Sequence, residues 1–202
     1  MSETASPRLG RKFQEALAYA ADLHNTQTRK ASEVPYIGHL LSVAGLVIEA
    51  DGTETEAIAA LLHDAAEDQG GEATLAEIEQ RFGKTVASIV EECSDTVVTP
   101  KPPWRERKEQ YIANLKTVSD STIRVSLADK LDNARAILRD FRRHGSTLWQ
   151  RFNTDDPHEH LWYYRSLLKV YRRRSDSWLV DELERVIRTL EDEIGPPIAA
   201  TL

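Results

Sequence analysis

The chain has 202 residues, and 26 Lys and Arg against 33 Asp and Glu leave a net charge of −7. That length suits one compact unit, at roughly one domain per 150 residues, and it buries a core without disulfide staples. The acidic balance speaks against sequence-independent binding of DNA or RNA, which needs a basic face. A single cysteine, Cys93, excludes an intrachain disulfide and a thiolate zinc site. The opening residues lack the apolar stretch of a signal peptide, and no apolar run approaches the ~18 residues of a membrane helix. The expectation is a soluble cytoplasmic protein forming one domain over residues 1–202, with its core at about 8–193 and loose tails.

In chain order, Leu9, Phe13, Leu17, Ala20 and Leu23 recur three or four apart and predict an amphipathic helix over 8–24. A polar stretch from Asn25 to Val34 ends at Pro35, which pushes its predecessor out of helical space; the next helix is expected at 36–50. Asp51-Gly52 stops it, and Thr53 with Glu56 forms a capping box for a helix over Glu54 to Asp68. That helix is apolar on nearly all sides from Ala57 to Leu62, which places it in the middle of a bundle. After Gly70-Gly71, Thr74 with Glu77 starts a short helix, Gly83 separates it from 84–95, and 99–103 is a proline-rich turn. Further helices are expected at 104–118, 119–142, 157–174 and 177–193. No alternating strand of useful length stands out. The fold class is all-α, a helical bundle.

The segment His63-Asp64-Ala65-Ala66-Glu67-Asp68 carries the chemistry. At about 100° per residue its four polar positions fall within about 140°, on one side of an otherwise apolar helix. Leaving such groups unpaired in a buried place costs roughly several kcal/mol per charge, and a divalent cation is the usual compensation. The alternative is an exposed acidic helix end with an incidental His-Asp pair. His39, just after Pro35-Tyr36-Ile37-Gly38, is a second candidate ligand, although histidines at such places also serve as core or capping residues. Asp129, within Arg124 to Asn133, is a third, with ion pairing to Lys130 or Arg135 as its alternative.

Because the net charge is negative, a polyanionic ligand needs a local cationic cluster. Arg29-Lys30 supplies one. Lys101, Arg105, Arg107 and Lys108 supply another, each expected singly as solvated surface. Trp104 either stacks on a base or packs in the core. Trp149, Trp162 and Trp178 are read as packing, His158-Glu159-His160 as surface, and Arg172-Arg173-Arg174 as a solvated helix face.

His39, His63-Asp64 and Asp129 together resemble the H…HD…D pattern of the HD-domain metal-dependent phosphohydrolases. The resemblance narrows with Gln27-Thr28-Arg29-Lys30, Pro35 to His39, His63 to Asp68 and Leu127-Ala128-Asp129-Lys130-Leu131-Asp132-Asn133, in that order. From about Ala18 to Arg174 the chain is similar to the hydrolase domain of RelA/SpoT-type alarmone enzymes, above all to their stand-alone small members. That resemblance implies an HD-type bundle that removes the 3′-pyrophosphate from guanosine tetra- or pentaphosphate, usually with manganese. It implies His39, His63, Asp64 and Asp129 as metal ligands, and Glu67 and Asp68 as the paired acids that handle water and protons. Arg29, Tyr36 and Asn133 match positions near the nucleotide, with Lys30 beside them; Lys101 is a candidate for the part of the family's loop lysine, a match the sequence leaves open. Leu40 stands where the family commonly has proline, and the segment between Asp95 and Trp104 departs from its pattern.

The residues support the chemistry on their own terms. Two imidazoles and two carboxylates neutralise a divalent cation, and mixed nitrogen and oxygen ligation suits Mn²⁺, with Zn²⁺, Fe²⁺, Co²⁺ and Ni²⁺ as competitors. Either Glu67 or Asp68 serves as proton acceptor; the sequence does not separate them. Two other readings stay open: an HD phosphohydrolase for another phosphorylated nucleotide (an adenine alarmone, NADPH or a nucleoside monophosphate), and a non-catalytic binding or sensor module. The oligomeric state is not legible.

Overall fold

The computed structural model describes residues 9–30, 32–95 and 102–196. Its elements are α1 (Arg11–Leu23), α2 (Ile37–Glu49), α3 (Glu54–Leu62), α4 (Ala65–Gln69), α5 (Glu72–Phe82), α6 (Lys84–Cys93), α7 (Trp104–Asn114), α8 (Asp120–His144), a 3₁₀ segment (Gly145–Arg151), α9 (Pro157–Arg174) and α10 (Trp178–Ile194). The architecture is all-α. Among the described residues the only β pairing is an isolated bridge between Thr28 and Pro35. None of their helices is long and apolar enough to cross a membrane.

α3 occupies the middle, as its all-round apolar sequence predicts, packed by α1, α2, α6 and α8. Every residue from Glu56 to Leu62 is buried. Each fully buried leucine there contributes about 1.5–3 kcal/mol of burial energy. The expected capping box is formed: the Thr53 amide donates to Glu56 at 2.7 Å, and the Glu56 amide donates to the Thr53 hydroxyl at 3.3 Å. Glu56 is also gripped by Arg124 at 3.3 Å, which ties the start of α3 to α8. Buried apolar side chains from Ala16 to Leu190 join in one contiguous cluster.

Several local expectations are corrected. The helix expected from Glu54 to Asp68 breaks at His63-Asp64 into α3 and α4. There the His63 Nδ1–H donates to the Ala60 carbonyl at 2.8 Å, occupying an acceptor the helical ladder would otherwise use. The next helix starts at Glu72, not at Thr74, because Gly70 and Gly71 take positive φ and turn the chain two residues earlier. Thr74 braces that turn through its hydroxyl, which donates to the Gln69 carbonyl at 3.0 Å. The Gly145–Arg151 segment adds a 3₁₀ element that periodicity did not reveal.

Side-chain placements differ too. His160 is buried rather than surface, packed among Trp104, Trp149 and Phe152, with its Nε2 3.0 Å from the Thr154 carbonyl. Trp178 is 43% exposed instead of packed. Arg174 is no solvated residue: it donates to the carbonyls of Leu115 and Val118, closing the end of α7 against α9. Trp104 sits against Trp162 and Tyr163, which is the packing alternative.

Candidate metal centre and active site

Three separated segments converge beside α3. His39 comes from the first turn of α2, His63 and Asp64 from the break between α3 and α4, and Asp129 from the middle of α8. Nitrogen atoms of His39 and His63 and a carboxylate oxygen of Asp129 all lie within 4.8 Å of one another, and all three residues are buried. Asp64 borders this trio, its Oδ2 at 3.1 Å from His63 Nε2 and 3.7 Å from His39 Nε2. Asp129 Oδ1 lies 3.2 Å from His39 Nε2 and 3.5 Å from His63 Nε2.

The imidazoles are oriented from behind. His63 Nδ1 faces the Ala60 carbonyl, which only accepts, so Nδ1 carries the proton. His39 Nδ1 lies 2.6 Å from Asp132 Oδ2, a second acceptor. Both Nε2 atoms are buried and lack a hydrogen-bond partner among the described residues. A buried polar atom without a partner is costly. Two such nitrogens set among carboxylates fit a cation held by nitrogen and oxygen.

The electrostatics agree. Burial pulls the His63 imidazole down, yet the Asp64 and Asp129 carboxylates outweigh it and raise its pKa well above the ordinary value. Burial likewise opposes ionisation of Asp64, but the neighbouring His63 holds this carboxyl below the usual carboxylate range. A proton on an imidazole thus answers the negative charge that a cation would answer. The two oxygens of Asp129 divide their work. Oδ1 faces the imidazoles and accepts from Asn133 Nδ2 at 2.5 Å, while Oδ2 accepts from Lys130 at 2.6 Å. The ion-pair reading of Asp129 therefore holds beside the ligand reading, whereas Arg135 pairs with Glu182.

The remaining expected residues surround this centre unevenly. A short turn pairs the Arg29 amide with the Val34 carbonyl and the Tyr36 amide with the Gln27 carbonyl, each at 2.9 Å. It delivers the Tyr36 hydroxyl to Asp64 Oδ2 at 2.5 Å, and Arg29 Nη2 to Asp132 at 2.9 Å and Asn133 at 3.4 Å. Lys30 is exposed, and no hydrogen bond or ion pair among the described residues ties it to the cluster. Lys101 lies outside the described residues. Glu67 accepts from the Asp95 amide at 3.0 Å, and Asp68 from Gln27 Nε2 at 2.8 Å. Burial, with Asp64 nearby, raises the Asp68 carboxyl.

Among the described members of the second cationic cluster, only Arg105 is exposed as expected, and even it pairs with Glu159. Arg107 is buried and Lys108 half-buried, both paired with Asp95. Burial, then Lys130 and Arg107, pulls the Lys108 amine down to about 7. Sequence reasoning missed Asp95, Lys108, Gln27, Ser42 and Asp132 as supports. Gln27 and Asp132 stood inside the informative blocks, but their partners are far along the chain.

Comparison with known proteins decides the family. A family model described as HD domain matches residues 16–155. The chain belongs to the HD-domain family. This HD-domain protein is 37% identical over 147 residues to the Drosophila melanogaster guanosine-3′,5′-bis(diphosphate) 3′-pyrophosphohydrolase MESH1, covering 71% of this chain and 77% of that protein. The Mus musculus protein of the same name is 38% identical over 184 residues, covering 90% and 93%. A solved structure described as a metazoan ortholog of SpoT that hydrolyses ppGpp superposes with a TM-score of 0.74 at 29% identity, covering 91% of this chain and 98% of that one. An HD domain implies a divalent metal, and His39, His63 and Asp129 form a group able to hold one.

Proposed function

We propose that this HD-domain protein hydrolyses guanosine tetra- and pentaphosphate, releasing the 3′-pyrophosphate and leaving GDP or GTP. The observation that carries the reading is the pair of buried, unpartnered Nε2 atoms of His39 and His63 between the carboxylates of Asp64 and Asp129. The names of its relatives supply the substrate class. His39, His63, Asp64 and Asp129 would hold the ion, and their mixed nitrogen and oxygen donors suit Mn²⁺, with Zn²⁺, Fe²⁺, Co²⁺ and Ni²⁺ as competitors. When bound, such an ion polarises a phosphoryl oxygen and lowers the pKa of water.

The side chains do the rest. Tyr36 steadies Asp64 and Asn133 steadies Asp129, so both carboxylates face the centre in fixed rotamers. Glu67, oriented by the Asp95 amide, takes the proton of the attacking water. Asp68, with its carboxyl raised by burial and Asp64, keeps a proton to a higher pH and returns it to the departing oxygen. Arg29 presents a planar cation to the phosphates, with Lys30 and Lys101 as further contacts. The reading extends to a single catalytic unit working in the cytoplasm, where the one cysteine, buried Cys93, stays a thiol.

Gln27→Leu tests how Asp68 is aimed. His24 Nδ1 lies 2.7 Å from Gln27 Oε1, and Gln69 donates to the same oxygen at 2.5 Å, so the Gln27 amide N–H is directed at Asp68. Losing this hydrogen bond to the protonated carboxyl, about 0.5–1.5 kcal/mol, loosens its aim and should slow turnover roughly 2- to 10-fold. Metal content, measured by atomic emission, should stay unchanged; a normal rate removes Gln27 as the residue that aims Asp68.

The substrate is tested by incubating the protein and Mn²⁺ with 3′-pyrophosphorylated guanine and adenine nucleotides, NADPH and nucleoside monophosphates. Chromatography of the products should show pyrophosphate released from the 3′ position of the guanine nucleotides. Release from none of the 3′-pyrophosphates contradicts the proposal, and preferential turnover of another nucleotide replaces its substrate.

A further inference from the structure

Asp132 lies on α8, three residues past Asp129, and its carboxylate is fully engaged. Oδ2 is 2.6 Å from His39 Nδ1 and accepts from Arg29 Nη2 at 2.9 Å; Oδ1 accepts from the Ser42 hydroxyl at 2.5 Å. Arg29 Nη2 also stands 3.4 Å from His39 Nδ1, so the arginine, the imidazole and the carboxylate form one compact knot. Arg29 and Asp132 side chains are only 16% and 18% exposed, so water competes weakly for these contacts.

We infer that Asp132 is a positioning residue that couples the nucleotide-facing Arg29 to the metal-facing side of His39. This rests on the reading of His39 as a ligand. A carboxylate accepts only, so Asp132 demands the proton at Nδ1 and leaves the Nε2 lone pair turned to the centre. Support of this kind behind a ligand histidine fixes its tautomer and ring orientation. Arg29 draws on the same oxygen, so movement of Arg29 toward a phosphate alters the support of His39. Ser42, one turn beyond His39 on α2, holds the other oxygen and keeps Asp132 from swinging out.

The test uses the full chain stripped of metal and titrated with Mn²⁺, with free ion followed by electron paramagnetic resonance. Asp132→Asn trades an accept-only, charged carboxylate for a neutral amide that can also donate, and should weaken Mn²⁺ binding about 10- to 100-fold, with the unfolding midpoint nearly unchanged. Arg29→Met alone should weaken it a few-fold but cause no further loss in the Asp132→Asn background, a coupling that a merely structural residue does not produce. Ser42→Ala should give a smaller loss in the same direction. Binding by Asp132→Asn within threefold of the unaltered protein, or strictly additive losses, overturns the inference while leaving the proposed function intact. Absence of Mn²⁺ binding by the unaltered protein overturns both. Should Asp132→Asn not fold, unchanged affinity in Ser42→Ala and Arg29→Met overturns it.

Discussion

Asp64→Ala is expected to lose divalent-metal binding and hydrolysis together. The Asp64 carboxylate faces both bare imidazole nitrogens and is kept ionised by His63 despite its burial. Removing it takes away one of the two negative charges available to a cation and strands the Tyr36 hydroxyl that it accepts. Asp129 alone cannot replace it, because one of its oxygens already answers Lys130. The loss should be at least on the order of 100-fold in both metal affinity and kcat/KM, the upper end of what disturbing a ligand shell produces. Metal analysis after dialysis against Mn²⁺, paired with a turnover assay, reads it. Because Asp64 stands beside the tight trio of His39, His63 and Asp129, the experiment is decisive about its role. Full metal content with lost turnover would make it a brace for Tyr36, and full turnover would remove it from the centre.

Glu67→Gln is expected to keep the metal while lowering kcat by about 10²–10⁴, the usual worth of a positioned proton acceptor. Glutamine preserves the length of the side chain and an oxygen for the Asp95 amide, so the loop end at Asp95 stays fastened. Asp95 in turn remains held by Arg107 and Lys108. Only the capacity to take a proton is lost. The signature is a fall in kcat at nearly constant KM and constant metal content. An unchanged kcat would exclude Glu67 from proton transfer.

Much of this arrangement could be read from the chain, and the rest failed for physical reasons. Apolar spacing located most helices because each buries one stripe, and α3 stood out because it buries every side. The break at His63-Asp64 was invisible to that logic, since both residues keep right-handed helical φ and ψ and a side-chain hydrogen bond ends the ladder. His39, His63, Asp64 and Asp129 were legible because buried acids and imidazoles need a reason to be there. Their supports were not. His39 and Asp132 are 93 residues apart, Ser42 and Asp132 90, and Gln27 and Asp68 41, so no local pattern links them. Arg107, Lys108 and Arg174 look like surface charge in sequence and become pairs or caps only once α7 meets its neighbours. Trp178 erred in the opposite direction, an aromatic left partly exposed at the start of α10.

Anomalous diffraction at the manganese edge, from crystals grown with Mn²⁺, reads the metal centre itself. One strong peak bounded by His39 Nε2, His63 Nε2, Asp64 and Asp129 is the predicted result. Well-ordered crystals with those side chains in place and no peak among them would contradict it.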